Sequence, residues 1–188
     1  MSTREKICSE ALKLFVRDGV SGTTTRAIAS ACGIAEGTIY RHFTSKDELA
    51  LDLYTRNWQA FATYMERAAA RGTHARERLE LMVSWLVMAA ERQPELFDYL
   101  FLAAPQLAVQ VPAEAASPLA CLKQELADLL SPGEIELQLA VLIGGLTGAV
   151  RALRSGKVSS LAQVQMLLLR PVQRQAMQAK AAESAGVI

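Results

Sequence analysis

The residues whose types and spacing carry chemistry are concentrated between Thr25 and Lys46, in the run TRAIASACGIAEGTIYRHFTSK. Glu36, Gly37, Thr38, Arg41 and His42 form the polar set of one short segment. Arg41 has the geometry for a bidentate contact with guanine or a phosphate, and Thr38 suits a base edge or a thymine methyl. Gly37 lets a backbone come close to DNA and costs ~1 kcal/mol of helix propensity relative to alanine, so helix stability is not its reason for being there. Thr25 and Lys46 stand at expected helix N-termini, where free N–H groups and the dipole favour a phosphate. The chemistry is recognition of duplex DNA. The competing reading of the same residues is a packed helical corner that binds nothing.

Catalysis finds little support. The two histidines are His42, in the segment above, and His74, in a turn beside Gly72. Neither is accompanied by a nucleophile motif, metal spacing or phosphate loop. Cys8, Cys32 and Cys121 are odd in number and form no C-x-x-C pair, which argues against disulfide scaffolding and zinc. The expectation is a non-enzyme with no cofactor and no metal.

Two helices must position the polar set: Arg26 to Cys32, then Ala35 to His42, with a tight turn at Gly33, where φ > 0 is needed. Ile28, Cys32, Ile34 and Ile39 fall where such a pair needs apolar contacts, and Ala29 falls where the helices cross. This is helix-turn-helix spacing, with the second helix available for a major groove. Before it, Ile7, Ala11, Leu14 and Phe15 recur at helical spacing over Thr3 to Asp18, with Gly19 as the stop and Thr25 as N-cap of the next helix. After it, Ser45 and Glu48 are spaced as a capping box opening a long helix, Lys46 to about Arg71.

Further helices are expected at Arg76–Arg92, from Pro94 through ELFDYLFLAA, at Leu119–Leu130, at Glu134–Ser155 and from Ser159 to about Ala182, kinked at Pro171. Ala104 to Pro118, with three prolines, reads as a long loop. The fold class is therefore all-α, about nine helices without strands: an N-terminal three-helix helix-turn-helix DNA-binding domain (1–46) and a C-terminal helical ligand-binding and dimerisation domain (47–188).

Composition agrees. Half of the 188 residues are hydrophobic but only 6% aromatic, which favours helices over strands. The net charge of +1 is unevenly spread. Residues 1–46 carry seven Lys/Arg against four Asp/Glu, 47–149 seven against fourteen, and 150–188 six against one. The start MSTREKICSE has no apolar signal-peptide core. The longest uncharged runs, Tyr99–Ala113 and Leu137–Val150, are shorter than the ~20 residues a bilayer span requires. The expectation is a soluble, reduced, cytoplasmic protein with no membrane partner.

The middle of Glu134–Ser155, LQLAVLIGGLTGAV, is apolar nearly all round and needs cover on two faces. Ala140, Gly144, Gly148 and Ala152 form a small-residue ridge on it, and Leu161, Val164 and Leu168 add a leucine-rich surface on the last helix. Together they predict an intersubunit helix bundle, that is, a homodimer. Trp58, Phe61, Trp85, Met88, Phe97, Phe101, Cys121 and Leu122 are candidates to line an apolar ligand cavity, although each is also explained as core.

The run GTTTRAIASACGIAEGTIYRHFTSKDEL resembles the DNA-binding domain of TetR/AcrR bacterial transcriptional regulators. The matching features are Gly-x-x-x-Thr, Ala-x-x-Cys-Gly-Ile, Gly-Thr-Ile-Tyr-Arg-His-Phe and Ser-Lys-Asp-Glu-Leu, and they cover roughly Arg4 to Tyr54. The resemblance implies phosphate contacts from Thr25, Tyr40, His42 and Lys46. It places Arg26, Ala35, Glu36, Gly37, Thr38 and Arg41 nearest the bases. Glu36 departs from the basic or neutral residue often met there; it could accept from a cytosine amine or be solvated. The resemblance further implies a homodimer on a palindromic double-stranded operator, released by a small-molecule effector, here a largely apolar one. Two alternatives stand beside it: a constitutive DNA-binding protein without an effector, and a thiol sensor using Cys121.

Overall fold

The computed structural model describes residues 2–112 and 115–169, and they are helical without a strand. They fall into two compact units: Met1–Phe61 with Arg92–Ala116, and Ala62–Glu91 with Ser117–Ile188.

In the first unit, α1 (Thr3–Gly22) opens with a capping box. Ser2 Oγ accepts from the Glu5 N–H, and the Glu5 carboxylate accepts from the Ser2 N–H. Its predicted stripe, Ile7, Ala11, Leu14 and Phe15, is buried. Helical geometry breaks at Gly19 (φ 73°, ψ 162°), as its glycine allows, but one further turn runs to Gly22 before the chain leaves the helix. The buried Thr23 closes this end by donating from both its N–H and its hydroxyl to the Gly19 carbonyl.

The helix α2 (Thr25–Cys32) is capped by Thr24, not Thr25: Thr24 Oγ1 accepts from the Ala27 N–H at 3.1 Å. Gly33 follows in the left-handed conformation (φ 63°, ψ 36°), and a Cβ there would meet no atom within 4 Å. The constraint is thus the backbone angle, not space. The helix α3 (Glu36–Ile39) has four residues where eight were expected. Ala35 supplies no side-chain cap, and beyond Ile39 the chain tightens: Arg41 and His42 donate three residues back, to Thr38 and Ile39. Ile28, Ala29, Cys32, Ile39 and Phe43 are buried beneath this pair.

The helix α4 (Lys46–Ala69) begins with Ser45 Oγ accepting from the Glu48 N–H. The expected reciprocal bond is shifted by one residue, since the Glu48 carboxylate takes the N–H and hydroxyl of Thr44. Thr44 lowers the Glu48 pKa accordingly. The helix α5 (Ala75–Arg92) lies mainly in the second unit. The short α6 (Pro94–Asp98) then passes into a π turn, Tyr99–Ala103. Here Tyr99 donates its hydroxyl to the Ala50 carbonyl at 2.7 Å, and Tyr54 donates to the Leu100 carbonyl at 3.2 Å. Burial raises the pKa of both phenols. The expected long loop is partly ordered, because Pro105–Gln110 forms a 3-10 helix.

In the second unit, α7 (Pro118–Ala127) and α8 (Pro132–Arg154) start earlier than expected. In each, a serine caps and the proline behind it takes the first helical position, where its missing N–H is harmless. Arg78 pairs with Glu125 at 2.7 Å and Asp128 at 3.5 Å, and Glu125 is buried. Arg78→Ala should lower stability by ~2–4 kcal/mol in urea titration, since it strands a buried carboxylate. Destabilisation under ~0.5 kcal/mol would show that Glu125 is solvated.

The face of α8 formed by Ile135, Gln138, Leu142, Leu146 and Val150 is buried, and Gln138 donates to the Leu168 carbonyl at 3.2 Å. Leu137 and Val141 are 68% and 40% exposed. With 23 residues and a mean hydropathy of 1.4 over its most apolar window, α8 is by length and composition long enough to cross a membrane. Its uncharged run, Leu137–Val150, is shorter than the helix because Glu134, Glu136, Arg151 and Arg154 lie within the helix ends. The last expected helix is seen at 164–169; Pro171 and the rest of it lie outside the described residues.

Candidate nucleic-acid interface

The α2–turn–α3 unit carries its polar residues outward. Arg26, Ala35, Glu36, Gly37, Tyr40, Arg41 and His42 are exposed, while Thr25, Thr38 and Lys46 are half-buried. Among the described residues Arg26 and Arg41 form no ion pair, so both guanidinium groups are uncommitted. A Cβ on Gly37 would meet no atom of the protein within 4 Å, so nothing inside the fold demands glycine there.

Two features were not legible beforehand. Lys46 Nζ donates to the Thr23 carbonyl at 2.8 Å and to the Ser21 carbonyl at 3.4 Å, tying the start of α4 to the chain that leads into α2. The Thr25 hydroxyl donates to Glu36 Oε1 at 2.6 Å, and its oxygen lies 3.4 Å from the Tyr40 hydroxyl. Glu36 is therefore not merely solvated. Spacings of 11 and 15 residues across a turn carry no periodic signal, so sequence reasoning could not have found this cluster.

Elsewhere the predicted pocket residues divide. Trp58, Phe61, Phe97 and Phe101 belong to a packed aromatic cluster in the first unit, with ring centroids of Phe97 and Phe101 4.7 Å apart. Trp85, Met88, Cys121 and Leu122 belong to the second unit. There Trp85 stacks on Tyr64 at 5.8 Å, Met88 is 38% exposed and Leu122 is buried. Cys121 borders a cleft of about 290 Å³ whose other walls include Glu66, Arg78, Met82 and Glu125, more charged than expected. Burial, then the neighbouring Glu66, pushes the Cys121 thiol up to about 11.

The predicted dimer residues also divide. Ala140, Gly144 and Gly148 are exposed and Ala152 is half-buried. Leu161 and Leu168, expected on an intersubunit surface, are buried inside their own chain, Leu168 against Gly145. Val164 is half-buried, and Met166 and Leu167 are the exposed apolar residues of that segment. Among the described residues no group of three His, Cys, Asp or Glu side chains could hold a metal ion.

A pair of short helices with Ala29 buried between their apolar residues, turned by a left-handed glycine and presenting uncommitted guanidinium groups, defines a helix-turn-helix unit. Residues 7–53 match the family described as bacterial regulatory proteins, tetR family. Residues 7–53 are thus a DNA-binding domain of the TetR type. It is 32% identical over 95 residues to the transcriptional repressor KstR of Mycolicibacterium smegmatis, covering 50% of this chain and 47% of that protein. It is 39% identical over 64 residues to the transcriptional regulator TcmR of Streptomyces glaucescens, covering 34% of this chain and 28% of that one. The chain thus spans about half or less of the length of these curated relatives.

The fold is shared more widely. A TetR family regulator structure from Shewanella sp. PV-4 superposes with a TM-score of 0.74 at 21% identity, over 92% of this chain and 96% of that one. FadR of Bacillus subtilis, solved with stearoyl-CoA, superposes with a TM-score of 0.71 at 20% identity, over 89% and 96%.

Proposed function

We propose that this chain is a sequence-specific DNA-binding regulator of transcription, acting as a repressor. The observation that carries the reading is the outward polar face of α2 and α3, with Arg26 and Arg41 uncommitted. In this reading Thr25, Tyr40, His42 and Lys46 hold phosphates, which set register. Arg26, Ala35, Glu36, Gly37, Thr38 and Arg41 face the base edges, which set sequence. The functional division falls at Lys46, with 1–46 reading DNA and 47–188 serving effector binding and dimerisation. Footprinting on fragments upstream of the protein's own and neighbouring genes tests this; protection of no fragment over bulk DNA would refute it.

The protein acts as a homodimer, so that two α3 helices meet successive major grooves on one side of a palindromic site. The exposed apolar surface of α8, with Leu137 and Val141 beside Ala140, Gly144 and Gly148, supports this, and Met166 and Leu167 extend it. Leu137→Asp should convert a micromolar dimer into a monomer in sedimentation equilibrium and weaken operator binding at least tenfold. A wild-type monomer at that concentration would exclude the bundle.

A small, largely apolar molecule releases the DNA. The stearoyl-CoA bound by the Bacillus subtilis FadR supports trying acyl-CoA thioesters first, with the acyl chain as the apolar part and the anionic CoA outside that description. A thermal-shift screen separates this from constitutive binding: a compound that stabilises the fold and releases DNA requires a pocket. The thiol-sensor alternative loses ground, because a buried thiol raised to about 11 forms little of the reactive thiolate. Cys121→Ser should leave any oxidant-dependent DNA release unchanged.

A further inference from the structure

Glu36 is an acidic side chain in the segment that the proposed function turns toward a polyanion, and it is not idle. The Thr25 hydroxyl has one proton to donate and gives it to Glu36 Oε1 at 2.6 Å, while the Tyr40 hydroxyl stands 3.4 Å from the same Thr25 oxygen. Thr25 and Tyr40 are two of the groups assigned to phosphate. A carboxylate is a small anion with acceptor oxygens, so on the Thr25 hydroxyl it occupies the place of a DNA phosphate. A phosphate cannot take the Thr25 proton while Glu36 holds it, and the two anions repel.

We propose that Glu36 is an internal competitor for the phosphate-binding hydroxyl of Thr25, and that it sharpens sequence selection by making every non-cognate site displace it without recompense. This rests on the DNA-binding reading above. On arbitrary DNA the carboxylate either stays and repels the backbone or leaves Thr25 and finds no donor in the groove. Where the groove presents a cytosine, its N4 amine donates to the released carboxylate and replaces the lost bond. The residue therefore discriminates chiefly by weakening wrong complexes.

The test uses the full chain, fluorescence anisotropy, a 30-base-pair duplex of random sequence, and a duplex selected by the wild-type chain from a random library. Glu36→Ala should bind the random duplex about five- to tenfold more tightly than wild type. It should gain less on the selected duplex, and repeated selection should lose a cytosine preference at one position per half-site. Glu36→Gln, which keeps an acceptor for Thr25 but not the charge, should fall between. In a Thr25→Val background the gain from Glu36→Ala should shrink, as coupled residues require. Because Thr24 caps α2, Thr25→Val leaves the cap intact, and circular dichroism melts of all variants check the fold.

Equal affinity of wild type and Glu36→Ala for the random duplex overturns the competitor. So does a gain undiminished by Thr25→Val, which would be bulk charge repulsion. In both cases selection of a site by the wild-type chain leaves the DNA-binding reading standing. A wild-type chain that selects no sequence overturns both.

Discussion

Lys46→Ala should weaken binding to every DNA sequence by about tenfold near physiological salt. It should also flatten the plot of log affinity against log salt by ~0.9 for each subunit bound. The ammonium is half-buried, and its bonds to the Thr23 and Ser21 carbonyls hold it beside the start of α2, where the proposed phosphate contact of Thr25 also lies. A lysine contact of this kind is a point charge on the backbone and carries no base preference. The loss should therefore be uniform across operator and random duplex. The tether adds a second consequence. Without it, the chain leading into α2 loses its link to α4, so a small fall in melting temperature should accompany the loss of affinity. Sequence-selective weakening with an unchanged salt slope would remove Lys46 from the phosphate contacts.

Phe101→Ala should cost ~3–5 kcal/mol of stability, seen as a lower urea midpoint with an unchanged slope. The ring is 8% exposed and lies among Trp58, Phe61 and Phe97 at centroid separations of 5.5, 6.0 and 4.7 Å. Truncation removes the burial of a whole aromatic side chain, leaves a cavity, and deletes three ring contacts worth roughly 0.5–1.5 kcal/mol each beyond area. Were this cluster an open ligand cavity, the same change would cost little and would instead alter effector response. A loss below ~1 kcal/mol would therefore restore Phe101 to the pocket candidates.

Much of the fold was readable from local signals. The spacing of Ile7, Ala11, Leu14 and Phe15 specifies the buried side of α1, and a glycine between two short apolar-periodic stretches specifies the left-handed turn at Gly33. Such features are decided within a few residues. What could not be read depends on the third dimension or on competition between neighbouring groups. Thr24 and Thr25 are equivalent cap candidates in sequence, and only the backbone path selects Thr24. Proline at 118 and 132 reads as a stop, yet each follows a capping serine and starts a helix. The π turn at Tyr99–Ala103 coincides with the two tyrosine hydroxyls that bind carbonyls across the unit, a pairing 46 and 49 residues apart. The candidate interface was legible by residue type, because arginine, threonine and lysine in a helix-turn-helix advertise themselves. The Thr25–Glu36 bond was not, since an acidic residue in that segment says nothing by itself about its partner.

The shortness of α3 reaches beyond geometry. A helix of four residues cannot complete the cooperative ladder that makes longer helices stiff, and Ala35 adds no cap to steady its start. The hydrogen-bonded amides that close it, those of Arg41, His42 and Phe43, should exchange with deuterium well before the bonded amides within α1. Ordering such a segment against a groove is paid in conformational entropy when DNA binds. Operator association should then show a more negative heat capacity change than rigid docking of the same surface would produce. A reader built this way can settle against several related half-sites, with affinity graded by how much order each one imposes.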